Sequence, residues 1–265
     1  MRQHRRFEFI LDKIAESGFV TIDELTSSLE VTPQTIRRDV TQLETEGRVK
    51  RYHGGVGAVE NSTTNSSYKT RKSVNSDAKQ TIAKLVADYI PDGASLFINI
   101  GTTTEAVAEA LLSKQNLTVV TNNLNVAVTL SSKSDFTVIV AGGEVRNSDG
   151  GIVGSPATDL INTFQMEYAI IGISGIQPDG TLLDYDLREV RVSQAIIANA
   201  SEVLLCSDNS KFGRTPMVKL GHIKDISRLF TNDCPDDQFA NLLIQNDVVI
   251  HCPGNNPVSN RQLSE

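Results

Sequence analysis

Residues 31–56 read VTPQTIRRDVTQLETEGRVKRYHGGV, and the pattern of apolar and cationic positions in this stretch decides how the first part of the chain folds. Thr32 precedes Pro33, so a threonine can cap a helix whose first position is a proline, where the missing N–H costs nothing. Within that helix Ile36, Val40 and Leu43 form an apolar stripe directed toward a small core. Gln34, Thr35, Arg37, Arg38 and Thr41 are left on the opposite face. Gln and Arg carry paired groups that read base edges bidentately, and Thr adds a methyl and a hydroxyl. They cluster toward the N-terminal end, the end that a recognition helix points at the bases. An isolated Arg-Arg pair on a polar face would read as merely solvated; the flanking segments change that reading.

Downstream, Val49-Lys50-Arg51-Tyr52-His53 followed by Gly54-Gly55 predicts a strand and tight turn. Lys50, Arg51 and His53 make it a basic wing suited to phosphate or the minor groove. Upstream, Phe7, Ile10, Leu11 and Ile14 recur at helical spacing, which predicts a helix over residues 3–17 ended by Gly18. Thr21-Ile22-Asp23-Glu24 fits a capping box and opens a second helix with Leu25 and Leu29 turned inward. Three helices and a wing make a winged helix-turn-helix whose partner is double-stranded operator DNA. Thr32 joins the readout set at the start of its helix.

Composition bounds the remainder. The chain has 265 residues and a net charge of −7, enough length for a small domain and a larger one with a substantial core. Residues 1–57 hold nine basic and nine acidic residues, so the deficit belongs entirely to the rest. A neutral reader with clustered cations still binds DNA, while an acidic remainder discourages nonspecific contact. No run of about 20 apolar residues occurs, and the charged start from Arg2 to Arg6 lacks the apolar segment of a signal peptide. The expectation is a cytoplasmic protein without membrane association. Cys206, Cys234 and Cys252 are widely separated and match no metal or redox spacing, so they read as structural, and no metal site is expected.

Residues 60–67, ENSTTNSS, have the composition of a flexible connection. The expected organisation is a DNA-binding domain at 1–57, a linker at 58–76, an effector domain at 77–252 and a polar tail at 253–265. A helix over residues 77–89 packs on the second domain. Short apolar runs then alternate with helical segments: 95–100, 117–121, 136–141, 168–172, 202–206 and 247–250. That alternation predicts an α/β domain with a mainly parallel sheet covered on both faces, whose ligands bind at the carboxyl ends of the strands.

The loops at those ends are the candidate effector site. Gly101-Thr102-Thr103-Thr104 joins a strand to a helix start with one glycine and three hydroxyls, a combination able to hold a phosphate. Alone, it is as readily a tight turn with a threonine cap. Asn122-Asn123, Gly142-Gly143-Glu144 with Arg146, and Ser174-Gly175 follow other apolar runs and offer small and polar groups. Asp184, Asp186 and Glu189 suit sugar hydroxyls, although acids at a helix start are also ordinary dipole partners. Lys211 and Arg214 supply cations able to neutralise an anion. The same Asp184, Asp186, Glu189 and Lys211 have the chemical types of an isomerase acid-base set, which leaves an active sugar-phosphate isomerase as a rival reading. The favoured reading has no catalytic residues and no enzyme activity.

Pro33-Gln34-Thr35-Ile36-Arg37-Arg38-Asp39 and the wing His53-Gly54-Gly55 resemble the DNA-binding motif of the DeoR family of bacterial regulators. The resemblance extends over residues 3–250. The runs 98–103, 121–127, 141–146, 172–176 and 210–214 are most similar to the branch that controls glycerol-3-phosphate metabolism. Thr104 stands where that branch is expected to carry proline, and the tail beyond residue 250 does not match. The resemblance implies a second domain similar in fold to ribose-5-phosphate isomerase, with the Gly101 loop and Lys211 at its sugar-phosphate site. It implies a homo-oligomeric repressor, a dimer or tetramer, that needs no cofactor and is released from DNA by a small phosphorylated effector, glycerol 3-phosphate foremost and another sugar phosphate as the alternative.

Overall fold

The computed structural model of the chain describes residues 3–52, 54–59, 62–63 and 65–254. His53 and the tail from 255 onward lie outside the described residues. Two compact units divide between Ser76 and Asp77.

The first unit contains α1 (Gln3–Ser17), β1 (Phe19–Thr21), α2 (Ile22–Leu29), α3 (Pro33–Thr45), β2 (Lys50–Tyr52), β3 (Gly55–Gly57) and α4 (Tyr68–Ser73). Local chemistry sets its boundaries. Gly18 at φ 77° ends α1 in the left-handed region that glycine enters without steric cost. Thr21 and Glu24 form the capping box, the Glu24 amide donating to Thr21 Oγ1 at 3.1 Å and the Thr21 amide to Glu24 Oε2 at 2.8 Å. Thr32 caps α3, accepting the Thr35 amide at 3.3 Å, with Pro33 first in the helix. Ile36, Val40 and Leu43 pack against Phe7, Ile10, Ile14, Leu25 and Val56 in one core. The sheet order is β1-β3-β2, so the wing is anchored by a strand preceding α2. The connecting stretch, read as flexible, carries α4, capped by the Ser67 side chain.

The second unit begins with α5 (Ser76–Tyr89), then β4 (Ser95–Ile98), α6 (Thr102–Leu111), β5 (Thr118–Thr121), α7 (Leu124–Leu130) and β6 (Thr137–Val140). It continues with β7 (Glu144–Val145), β8 (Ile152–Val153), α8 (Ser155–Ile161), β9 (Met166–Ile171), β10 (Gly175–Ile176), β11 (Thr181–Asp184), α9 (Leu187–Ala198) and β12 (Ala200–Cys206). After a 3-10 turn at Asn209–Lys211 come β13 (Val218–His222), β14 (Arg228–Phe230), α10 (Asp237–Gln245) and β15 (Val249–His251).

Seven of these strands form one parallel sheet in the order β15-β14-β12-β9-β4-β5-β6. Its two faces are covered by separate apolar clusters, one around Ile82, Val107 and Leu204 and the other around Phe97, Val190 and Leu205. The chain winds outward from β4 in one direction through β5 and β6, and from β9 in the other through β12, β14 and β15. The reversal falls between β4 and β9, which opens a crevice at their carboxyl ends. Two small antiparallel additions, β10-β11-β13 and the β7-β8 hairpin, were absent from the sequence reading. So was the linkage of Cys234 and Cys252 by a disulfide, with Cα atoms 5.5 Å apart.

Candidate DNA-reading face and effector site

On α3, Gln34, Arg37, Arg38 and Thr41 are exposed, as are Lys50 and Arg51 on β2. Among the described residues neither the Arg37 nor the Arg38 side chain has an ion-pair or hydrogen-bond partner, and both residues are exposed. Arg51 lies across the same face, its guanidinium donating to Thr41 Oγ1 at 3.2 Å and its amide to Glu44 at 3.0 Å. Thr32 and Thr35 face each other at 2.9 Å between hydroxyl oxygens, so part of their capacity serves the cap. Asp39 is 1% exposed and accepts from Arg6. The sequence reading gave Asp39 no partner, because Arg6 lies on a different helix.

In the second unit, α6 starts at the mouth of the switch-point crevice. Gly101, at φ 151°, sits at its N-cap, and Gly101 and Thr102 are half-buried. The first amides of a helix point out of its N-terminus and favour an anion there. Thr103 is 8% exposed. Thr104 requires a correction: it is fully buried, and its hydroxyl donates to the Asn99 and Gly101 carbonyls at 2.7 and 2.8 Å. It shapes the loop from below.

Asn122 and Asn123 are likewise fully buried. Asn123 caps α7 through the Asn125 amide at 2.9 Å, and Asn122 donates to the Ile152 carbonyl at 3.1 Å. Part of the hydrogen-bonding capacity of both side chains therefore serves the scaffold. Asn122 Oδ1 has no partner among the described residues, a position that a buried water would satisfy. Glu105, absent from the sequence reading, accepts from Asn123 and Asn125 at 3.3 and 2.9 Å and ties α6 to α7.

Arg146, expected as a polar group of the effector pocket, is enclosed by three carboxylates, Asp149 at 2.7 Å, Asp186 at 2.9 Å and Glu189 at 2.7 Å. Burial works against its charge, but the hydrogen bonds and charges of Asp149 and Glu189 outweigh that and raise its pKa further above the ordinary arginine range. Burial alone would also raise the Asp186 carboxyl. The Arg188 amide and the Arg146 guanidinium prevail and hold it below the usual carboxylate value. Three anions around one cation leave this wall of the site acidic. Asp184, 7% exposed, accepts the Tyr185 amide at 2.8 Å beside them.

Gly142, Gly143 and Glu144 are exposed, and Glu144 accepts from Arg188 at 3.0 Å on the rim. Ser174 is 8% exposed. A side chain at Gly175 would come within 2.6 Å of the Arg214 carbonyl, so glycine is what lets this loop meet the 208–216 segment. That segment opens with Asp208, 2% exposed, which accepts the Ser210 amide at 2.9 Å and so starts the turn bearing Lys211. Burial pushes the Asp208 carboxyl up, while Lys211, Ser210 and the buried Lys79 more than compensate and hold it low. Lys211 and Arg214 are half-buried, and Arg214 donates to the Tyr185 hydroxyl at 3.2 Å. Lys79 and Glu105 carry no local signal in the sequence that marks them. The candidate site would thus combine a glycine-threonine helix start, a cationic loop and an acidic wall.

The described residues contain no cluster able to hold a metal ion and no helix long and apolar enough to cross a membrane. Residues 6–62 match the DeoR-like helix-turn-helix domain and residues 74–233 match the DeoR C-terminal sensor domain. The glycerol-3-phosphate regulon repressor of Escherichia coli K12 is 46% identical over 235 residues, covering 89% of this chain and 93% of that protein. Its Haemophilus influenzae counterpart is 44% identical over 254 residues, covering 96% and 99%. Ribose-5-phosphate isomerase A from Neisseria gonorrhoeae overlaps 51% of this chain and 52% of its own at 14% identity, with a TM-score of 0.38, too loose a likeness to bear on activity. A winged reader with open arginines, a parallel α/β unit with a polar crevice and these two domain matches together make the chain a member of the DeoR family of transcriptional regulators.

Proposed function

We propose that the protein represses a carbon-metabolism regulon by binding operator DNA through α3 and the β2-β3 wing, and that glycerol 3-phosphate releases it. Residues 1–57 are the DNA-binding part, 58–76 the connection and 77–252 the effector part. The observation that carries the effector reading is the division of charge around the crevice. A phosphate fits the Gly101 end, with the first amides of α6 and Lys211 as donors, because the other wall is acidic. Hydroxyl groups fit that acidic wall, where Asp186 and Glu189 accept hydrogen bonds. A small phosphorylated polyol satisfies both ends, and a bare anion satisfies one. The resemblance to glycerol-3-phosphate regulon repressors supports glycerol 3-phosphate within that class.

The protein acts as a homo-oligomer, since two winged units on a symmetric operator double the contact surface and fix half-site spacing. It acts where the DNA is, in the cytoplasm, and its effector works by binding without turnover. A coupling of about 1–3 kcal/mol between effector and DNA sites gives a roughly 5- to 150-fold change in operator affinity.

The test is fluorescence anisotropy on a fragment from upstream of the gene, at fixed salt, titrated separately with glycerol 3-phosphate, fructose 6-phosphate and inorganic phosphate. Release by glycerol 3-phosphate alone is the expected result. Release by fructose 6-phosphate alone would reassign the effector, and the absence of release by any of the three would remove the sensor reading.

A further inference from the structure

Cys234 and Cys252 are unequal partners in their disulfide. Cys252, just after β15, is 3% exposed, whereas Cys234, in the loop after β14, is exposed. Cys234 also lines a cavity of about 390 Å³ with Asn209, Phe212, Gly213 and Asp236, on the flank of the segment that carries Lys211. Cys234 is therefore the half of the pair open to an external thiol, and Cys252 the half shielded from it. A regulator working on DNA shares a compartment in which low-molecular-weight thiols keep cysteines reduced, and disulfides there are transient and regulatory.

The loop bearing Cys234 is joined to the Lys211 turn. The Asn209 amide, first residue of that turn, donates to Asn232 Oδ1 at 2.9 Å, and its side chain reaches Asp233 at 3.5 Å. Phe212 packs edge-on against Phe239 of α10 with ring centroids 4.9 Å apart. The disulfide spans 18 residues that include α10 and β15, so it fastens both supports of the turn to the sheet edge.

We propose that Cys234 and Cys252 form a reversible thiol–disulfide switch that sets the order of the Lys211 turn and, through it, effector affinity. Only the last step rests on the effector assignment. In reduction, a glutathione-class thiolate attacks Cys234 Sγ. A mixed disulfide forms, the Cys234–Cys252 bond breaks, and Cys252 leaves as a thiolate that takes up a proton. A second thiolate attacks the small-molecule sulfur of the mixed disulfide, which releases the oxidised small disulfide and the Cys234 thiolate. Two small thiols are oxidised to one disulfide while the protein gains two thiols. Oxidation is the reverse, with the small disulfide as oxidant.

The experiment equilibrates the full-length protein in buffers of stepped reduced-to-oxidised glutathione ratio, traps free thiols by alkylation and reads them by mass spectrometry. Hydrogen exchange of residues 207–214 and glycerol 3-phosphate affinity are then measured on each form. The expected result is a two-electron transition within the glutathione series, with exchange at 209–214 at least about 5-fold faster in the reduced form, the lower end of ordinary coupling between sites. Cys234→Ser, at an exposed position, holds the faster exchange in every buffer; Cys252→Ala is the second variant with the same expectation. A pair that stays wholly reduced or wholly oxidised throughout, or equal exchange in both forms, overturns the switch. A redox-dependent exchange rate without any glycerol 3-phosphate binding upholds the switch and overturns the effector assignment alone.

Discussion

The buried Asp39 carboxylate pairs with the half-buried Arg6, Nε to Oδ2 at 2.5 Å and Nη2 to Oδ1 at 2.9 Å, and this ties α1 to the helix carrying the DNA-reading side chains. Gln3 adds a third donor to the same carboxylate at 3.3 Å. Removing the cation leaves the buried Asp39 carboxylate uncompensated, so Arg6→Ala is expected to destabilise the DNA-binding unit by about 3 kcal/mol. Urea unfolding checks this, and a loss below about 0.5 kcal/mol would mean that the pair is solvated in practice.

Arg38 is the opposite case, an exposed cation whose side chain has no partner among the described residues. Arg38→Ala is expected to weaken operator binding by about 1–3 kcal/mol and to leave both stability and effector affinity unchanged. If operator titrations of the variant and the parent overlay, α3 is not the reading helix.

These two arginines show what the sequence made legible. Caps such as Thr21 with Glu24 and Thr32 before Pro33 depend on residues three apart, so the helix starts are written locally. Core stripes and apolar strand runs are local too. The partners of Arg6 and Arg146 are not, since Asp186 and Glu189 stand 40 and 43 residues beyond Arg146. A polar residue in a loop looks free until the sheet order is known, and that order was not readable. For the same reason the sequence does not show that Thr104 bonds to backbone carbonyls, or that Asn123 bonds to the Asn125 amide and the Glu105 carboxylate. Strands as short as Gly175–Ile176 carry no periodicity to detect.

Lys211 lies on the turn started by Asp208, away from the DNA-reading unit in sequence. Lys211→Ala is expected to keep operator affinity and lose release by glycerol 3-phosphate, because the proposed phosphate site loses its cation while the turn keeps its Asp208 cap. Anisotropy in the presence and absence of effector distinguishes the outcomes, and a variant that remains inducible would move the phosphate elsewhere.

Arg146 holds three carboxylates, and this sets a pH signature. The Asp186 pKa is depressed in the folded state, so its contribution is present above its ordinary value of 3.8 and is lost as pH falls through the lower folded value. Arg146→Met removes the compensating charge, after which mutual repulsion raises the carboxyl pKa values. The variant should therefore be less stable than the parent at neutral pH and regain stability on acidification to about pH 5, where the parent does not. Thermal unfolding across that range reads the sign directly, and parallel curves would show that the acidic wall is not held by Arg146.

His251 gives a second titration of independent origin. Its ring stacks on Phe230 with centroids 4.4 Å apart, and Arg228 stands 3.4 Å from Nε2 while also pairing with Glu202 at 2.9 Å. Burial first, and the Arg228 charge second, push its pKa down from 6.5 to about 4. Below pH 6.5 the unfolded chain therefore takes up a proton that the folded chain refuses until about pH 4. More protons bound in the unfolded state means that stability rises with pH across this window and is lost as pH falls through it. His251→Phe keeps an aromatic ring on Phe230 and removes the titration. The expected outcome is a flatter dependence of Tm on pH between 6.5 and about 4 than in the parent, with the acid limb set by Asp186 and Asp208 retained, since no His251 charge acts on those depressed carboxyls. An unchanged slope would place the histidine in solvent rather than under the Arg228 guanidinium.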